Sequence, residues 1–194
     1  MYYIVGLGNP GKEYSGTRHN IGFSILEQFA ESKNFSSWHE SGSHCGKVAT
    51  GVLSGKEATL LLPITFMNDS GVAVRKLVPK GEEERLIVVY DDVDLALGEM
   101  KVSFDRGAGG HNGMKSIIEH LGTTEFVRVR VGVAQKSFFT GSLKRPKGEA
   151  LPKFVLAPFT VKEQKQLKDV LIKADEAIVT IVTEGREKAM NIHN

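Results

Sequence analysis

The sequence predicts an α/β protein with a twisted, mostly parallel (mixed) central sheet and helices on both sides. Three observations lead there. Residues 86–90, LIVVY, form an unbroken apolar run, the mark of a strand buried on both faces. Residues 126–134, FVRVRVGVA, alternate apolar with polar, as a strand with one wet, basic face should. Segments with apolar residues at helical spacing lie between the strands, and such alternation packs as a parallel sheet between helical layers.

The elements follow in order. Residues 2–7 make a first strand, and a glycine-rich loop runs on to about His19. A helix over 20–32 carries Ile21, Ile25 and Phe29 at four-residue spacing. Residues 47–53 and 57–62, separated by Ser54, Gly55 and Lys56, read as a hairpin. Asn68, Asp69 and Ser70 offer caps for a short helix to about Val78, closed by Pro79 and Gly81. After the LIVVY strand, residues 98–104 form another, followed by the loop DRGAGG. Asn112 can cap a helix through Leu121, ended by Gly122. Residues 135–150 are loop-like. A last helix over 161–184 buries Leu167, Leu171, Ala174, Ile178 and Ile181 on one stripe.

There is no repeat, low-complexity tract or linker, so residues 1–194 are expected to form one domain. Hydrophobic residues make up 41% and charged residues 25%, the balance of a soluble globular protein. No stretch approaches the roughly 20 apolar residues that span a bilayer. The opening MYYIVGLGNPG lacks the basic head and cleavage site of a signal peptide. The one cysteine, Cys45, excludes an internal disulfide and fits a reducing compartment. A cytoplasmic protein, with no membrane contact, is expected.

Net charge is only +2, yet its distribution is uneven. Between Arg128 and Lys153 stand seven basic residues against the single acid Glu149, a local +6 that leaves −4 elsewhere. Such a segment suits a polyanionic partner, and equally suits a solvated lysine-rich loop.

Residues 6–11, GLGNPG, match a dinucleotide-binding fingerprint, but the context argues against it. That motif needs its helix to begin within the glycines so that helical amides meet a pyrophosphate. Pro10 removes one amide and turns Asn9 away from helical geometry, and Gly16 delays the helix further. His39, His44 and Cys45 have metal-ligand chemistry, but no fourth ligand follows at zinc-site spacing. Neither a metal nor a cofactor is expected.

The remaining polar residues suggest hydrolysis. Asn9 and Asp91 both follow apolar strands; if these are parallel, both residues open on one sheet edge, where α/β proteins bind ligands. A histidine, His19, with a carboxylate partner and no suitable serine implies a general base acting on water. Asp91 would orient its ring, although Asp92 and Asp94 compete for that role. Asn68 and Asn112 supply uncharged donors for a carbonyl or oxyanion, but each also suits a helix cap.

These residues sit in four segments: GLGNPGKEYSGTRHNIGF, TFMNDSG, DDVDLALG and GAGGHNGMKSI. In that order and spacing they resemble the bacterial-type peptidyl-tRNA hydrolase family, from Tyr3 to about Gly132 and again over 154–159, FVLAPF. The resemblance implies an esterase that frees tRNA from peptidyl-tRNA, acting as a monomer. It implies His19 as base, Asp91 as its support, and Asn68 and Asn112 as substrate contacts. Asn9 would favour blocked peptidyl-tRNA over free aminoacyl-tRNA, and Tyr14 and Phe66 fall at positions associated with the tRNA end and peptide. The chain departs from the family at Ala96, where proline is frequent, and by an apparent insertion, KSFFTGSL, before Lys144-Arg145-Pro146-Lys147. Lys101, Arg106, Arg128 and Arg130 are candidates for gripping tRNA phosphates. A non-catalytic RNA-binding protein on the same scaffold and a nucleotide-dependent oxidoreductase are the competing readings.

Overall fold

The structure is a computed structural model that describes residues 1–137 and 141–194; Phe138, Phe139 and Thr140 of the expected insertion lie outside the described residues. The elements are β1 (Tyr2–Gly6), α1 (Ile21–Ser32), β2 (His39–Ser41), β3 (Gly46–Leu53), β4 (Lys56–Pro63), α2 (Ser70–Leu77) and β5 (Leu86–Ala96). They continue with β6 (Met100–Phe104), α3 (Asn112–Leu121), β7 (Val127–Lys136), β8 (Leu143–Lys144), α4 (Ala150–Val155), α5 (Val161–Glu184) and α6 (Arg186–His193).

The sheet runs β2-β3-β4-β1-β5-β7-β6, with β8 added on β7. β4, β1, β5 and β7 are mutually parallel, while β2, β3, β6 and β8 pair antiparallel at the margins. Side chains alternate across this sheet and build a core on each face. Ile4, Ile87 and Val129 face α1 and α5, packing with Ile25, Phe29 and Ile178. Val5, Val88 and Leu61 face α2 and α3, packing with Val74, Met114 and Ile117. Each such aliphatic residue, fully buried, contributes about 1.5–3 kcal/mol. No helix among the described residues is long and apolar enough to cross a membrane.

One close approach positions the site. A Cβ on Gly22 would lie 2.4 Å from the Val89 carbonyl and 2.5 Å from the Leu7 nitrogen, and one on Gly6 would lie 2.4 Å from the Gly22 carbonyl. Only glycines let the first turn of α1 press onto the end of β1 and onto β5 at Val89. The short 3₁₀ turn Arg18–Asn20, which leads into α1, is thereby set directly above β5.

Several expectations need correction. β5 does not stop at Tyr90 but continues through Ala96, because β7 supplies ladder partners Val131 and Gly132 for Asp91 and Asp92. Asp91 is therefore held within a sheet and does not follow it. A bulge between Asp92 and Ala96 requires Gly132 opposite, where a Cβ would meet the Ala96 carbonyl at 2.0 Å. The basic face of β7 is not wet. Arg128 is 1% exposed, and its guanidinium donates to the carbonyls of Arg106 and Gly107 while lying over the Phe126 ring. Arg130 pairs with Asp92 at 2.7 Å.

Helix caps differ as well. Asp69 precedes α2 without a side-chain cap, and the Asn68 amide donates to Asp69 at 3.0 Å instead. The cap of α3 is His111, whose Nδ1 accepts from the Met114 amide; Asn112 is the first helical residue. β2, α4 and α6 were not anticipated, being too short or too polar to show an apolar period.

Candidate active site

The carboxyl ends of β1 and β5 open on a cleft of about 610 Å³. Asn9, His19, Phe66, Asn68, Asp91 and Asn112 all line it. Tyr14 does not: it is half-buried on the 3₁₀ turn Lys12–Tyr14, where its carbonyl accepts from the Thr17 hydroxyl.

Asp91 lies at the floor of the cleft, 2% exposed. Its Oδ1 is 2.7 Å from His19 Nδ1 and 3.1 Å from His111 Nε2. The proton positions follow from the partners. His111 Nδ1 accepts from a backbone amide, so its proton sits on Nε2 and is donated to Asp91. A carboxylate can only accept, so His19 Nδ1 also donates, leaving Nε2 as the basic nitrogen of neutral His19. The two rings lie 4.9 Å apart, and Tyr90 meets the His111 ring edge-on at the same separation.

Electrostatics follow from this contact. Burial alone would raise the Asp91 pKa, but its contacts with His19 and His111 outweigh it and hold the carboxyl well below the usual carboxylate range. For His19, burial lowers the pKa while the Asp91 charge and hydrogen bond raise it; the net result is a rise above 6.5. Asp92 and Asp94, the other candidate partners, are engaged elsewhere: Asp92 with Arg130, and Asp94 with Arg145 at 2.9 Å.

His19, Asp91 and His111 bring their donor atoms within 4.8 Å of one another, a set able by residue type to hold a metal ion. The cap on α3 works against that use. Metal binding through His111 Nε2 would move the ring proton to Nδ1, facing the Met114 amide and breaking the cap. The geometry favours an ordered chain of donated protons. His44 instead bonds Ser41 and Ser43 in the polar turn after β2, and Cys45 lies 3.0 Å from Lys76 Nζ.

The amides are fixed to different degrees. Asn9 is buried, its Oδ1 accepting from the Met67 amide at 2.8 Å. Its backbone exchanges two 2.9 Å hydrogen bonds with the Asn20 side chain, which locks the loop after β1 to the turn carrying His19. With Oδ1 engaged, the Asn9 NH₂ remains for the cleft. Asn68 and Phe66 are exposed, the latter 56%, at the mouth. Asn20 and His111 complete the site beyond the residues singled out from the sequence; their adjacency to His19 and Asn112 was the available signal. Lys101 lies off the cleft, whereas exposed Arg106 reaches its rim.

Comparison with known proteins agrees with this geometry. The family model described as Peptidyl-tRNA hydrolase matches residues 3–194. A peptidyl-tRNA hydrolase of Lachnospira eligens is 40% identical, covering 100% of both chains. One of Aquifex aeolicus is 39% identical over 98% of this chain and 95% of its own. The crystal structure of peptidyl-tRNA hydrolase from Acinetobacter baumannii superimposes with a TM-score of 0.87 at 30% identity, covering 98% of this chain and 93% of that one. The chain belongs to the peptidyl-tRNA hydrolase family.

Proposed function

We propose that this protein hydrolyses the ester joining a peptide to the terminal ribose of tRNA, with His19 as general base. The observation that carries the reading is the buried Asp91 carboxylate, which fixes the His19 tautomer and leaves Nε2 for a water in the cleft. Nε2 takes a proton as that water attacks the ester carbonyl. The imidazolium so formed is stabilised by Asp91 and returns the proton to the leaving ribose oxygen. The products are a peptide carboxylate and free tRNA. Asn68 and Asn112 line the same cleft and can donate to the carbonyl as negative charge develops on it. Asn9 lines the cleft with its Oδ1 held by the Met67 amide, and its NH₂ would read the blocked amino group. Phe66 offers an exposed ring at the mouth for the tRNA end or peptide, while Tyr14 would act from outside the cleft. A binding-only scaffold has no use for a carboxylate clasped between two imidazoles.

Of the basic residues between 128 and 153, Arg128, Arg130, Lys136 and Arg145 are held by internal partners. Lys144 at the end of β8 and Lys147 on the loop before α4 are exposed and are proposed to meet tRNA phosphates.

Purified protein should release tRNA from N-acetyl-aminoacyl-tRNA in the presence of chelator, and His19→Ala should lower that rate by about 10²- to 10⁴-fold. A variant keeping more than a tenth of the rate rejects His19 as base.

Because the base must be unprotonated and its pKa is raised, kcat/KM should fall as pH drops through a value above 6.5. In Asp91→Asn only the lowering effect of burial remains, so the limb should move to lower pH while the plateau falls by roughly 10²-fold or more. An unmoved limb would separate Asp91 from His19.

Replacing Lys144 and Lys147 together by Ala should raise KM, spare kcat, and reduce the salt slope of binding by about two units. An identical slope in variant and parent makes the loop a bystander.

A further inference from the structure

The residue before the proposed base is itself buried and charged. Arg18 is 5% exposed, and its one acidic partner, Glu163 on the first turn of α5, is equally buried. Nη2 of Arg18 donates to both Glu163 oxygens, at 2.8 and 2.9 Å. Nη1 donates to the carbonyls of Ala157 and Pro158, both at 3.0 Å, in the link between α4 and α5. The guanidinium also lies over the rings of Phe154 on α4, 4.5 Å away, and Phe159, 5.2 Å away. The backbone repeats the tie: the Arg18 amide donates to Ala157, and Thr17 bridges to Pro158.

The contacts of this side chain thus join the His19 turn to α4, to its connection with α5 and to the first turn of α5. α4, through Leu151, Pro152 and Val155, and Leu156 just after it form the apolar wall of the cleft. Glu163 is in turn fixed by Gln135 at the end of β7 and by the capping box with Thr160. His19 is held separately, by Asp91 from β5. One anchor sets the base; the other sets the wall against which the substrate's acyl group would rest.

We infer that Arg18, through Glu163 and the Ala157 and Pro158 carbonyls, is a positioning residue that fixes the distance between His19 and the α4 wall. This rests on the reading of His19 as base in the cleft. A planar guanidinium is needed, since lysine cannot serve two carbonyls and both carboxylate oxygens from one plane. A displacement of about 1 Å between substrate and base can lower a rate about 100-fold. Loss of Arg18 should therefore raise KM and lower kcat. It should leave the acid limb in place, because the His19–Asp91 contact is untouched.

The test measures kcat, KM and the pH profile for Arg18→Lys and for the Arg18→Gln/Glu163→Gln double variant, which avoids stranding one buried charge. Rates are taken per folded molecule, well below each melting temperature. The double variant is expected to lose about 10- to 100-fold in kcat/KM with KM raised and the limb unmoved, and Arg18→Lys to lie between it and the parent. Should the double variant fail to fold, Arg18→Lys decides by the same criteria. Values within twofold of the parent, or a limb displaced as in Asp91→Asn, overturn the inference. His19→Ala is assayed alongside. If it is inactive while the Arg18 variants are normal, only this inference falls; if it keeps its activity, the reading of the base falls first.

Discussion

The site depends on one buried negative charge. Asp91 carries its carboxylate at the floor of the cleft, where desolvation opposes ionisation, and keeps it ionised through two imidazoles sharing a single oxygen. Such a charge is tolerable only if its partners cannot drift. Asp91 is therefore embedded in β5, laddered to β7, and His111 is fixed by its cap on α3. His19 is pressed over β5 by the glycine contact of α1. Loops alone would not hold three polar groups at these distances; here each is tied to a strand or a helix end.

Around that charge the chain divides its tasks between two faces of one cleft. The side formed by the loops after β1 and β4 and by the start of α3 carries amides, with Asn9 the most firmly fixed. The lining from α4 is apolar, and Arg18 packs against that helix over the Phe154 ring. Two further acids of the cleft are engaged away from His19, Asp92 with Arg130 and Asp94 with Arg145. Amides and apolar side chains thereby line the same cleft from different elements.

Much of this was legible in the sequence. The LIVVY run, the four-residue spacing in α1 and the long stripe of α5 report burial directly, and the structure follows them closely. The residues in the cleft were legible because four short motifs, in order and spacing, resemble one family; residue chemistry alone left Asn68 and Asn112 as caps and Asp92 and Asp94 as rivals of Asp91. What was illegible depended on long-range partners. FVRVRVGVA reads as half-wet because alternation cannot reveal that Arg128 will turn back onto two carbonyls. DDVDLA reads as a loop because its ladder comes from β7, nearly forty residues away. Asn112 reads as the cap of α3, but His111 takes that place, its backbone extended and its Nδ1 accepting from the Met114 amide. Arg18 looked like one more residue of a motif, and its partners lie some 140 positions further on.

The central claim is that a neutral His19 carries its proton on Nδ1, toward Asp91, leaving Nε2 basic in the cleft. Nitrogen-15 NMR of histidine-labelled protein, at a pH above the His19 transition, reads this directly. The account predicts a protonated Nδ1 with a downfield proton and an unprotonated Nε2 for His19, with the opposite tautomer for His111. A His19 protonated on Nε2, or one whose Nδ1 signal is unchanged in Asp91→Asn, would contradict it.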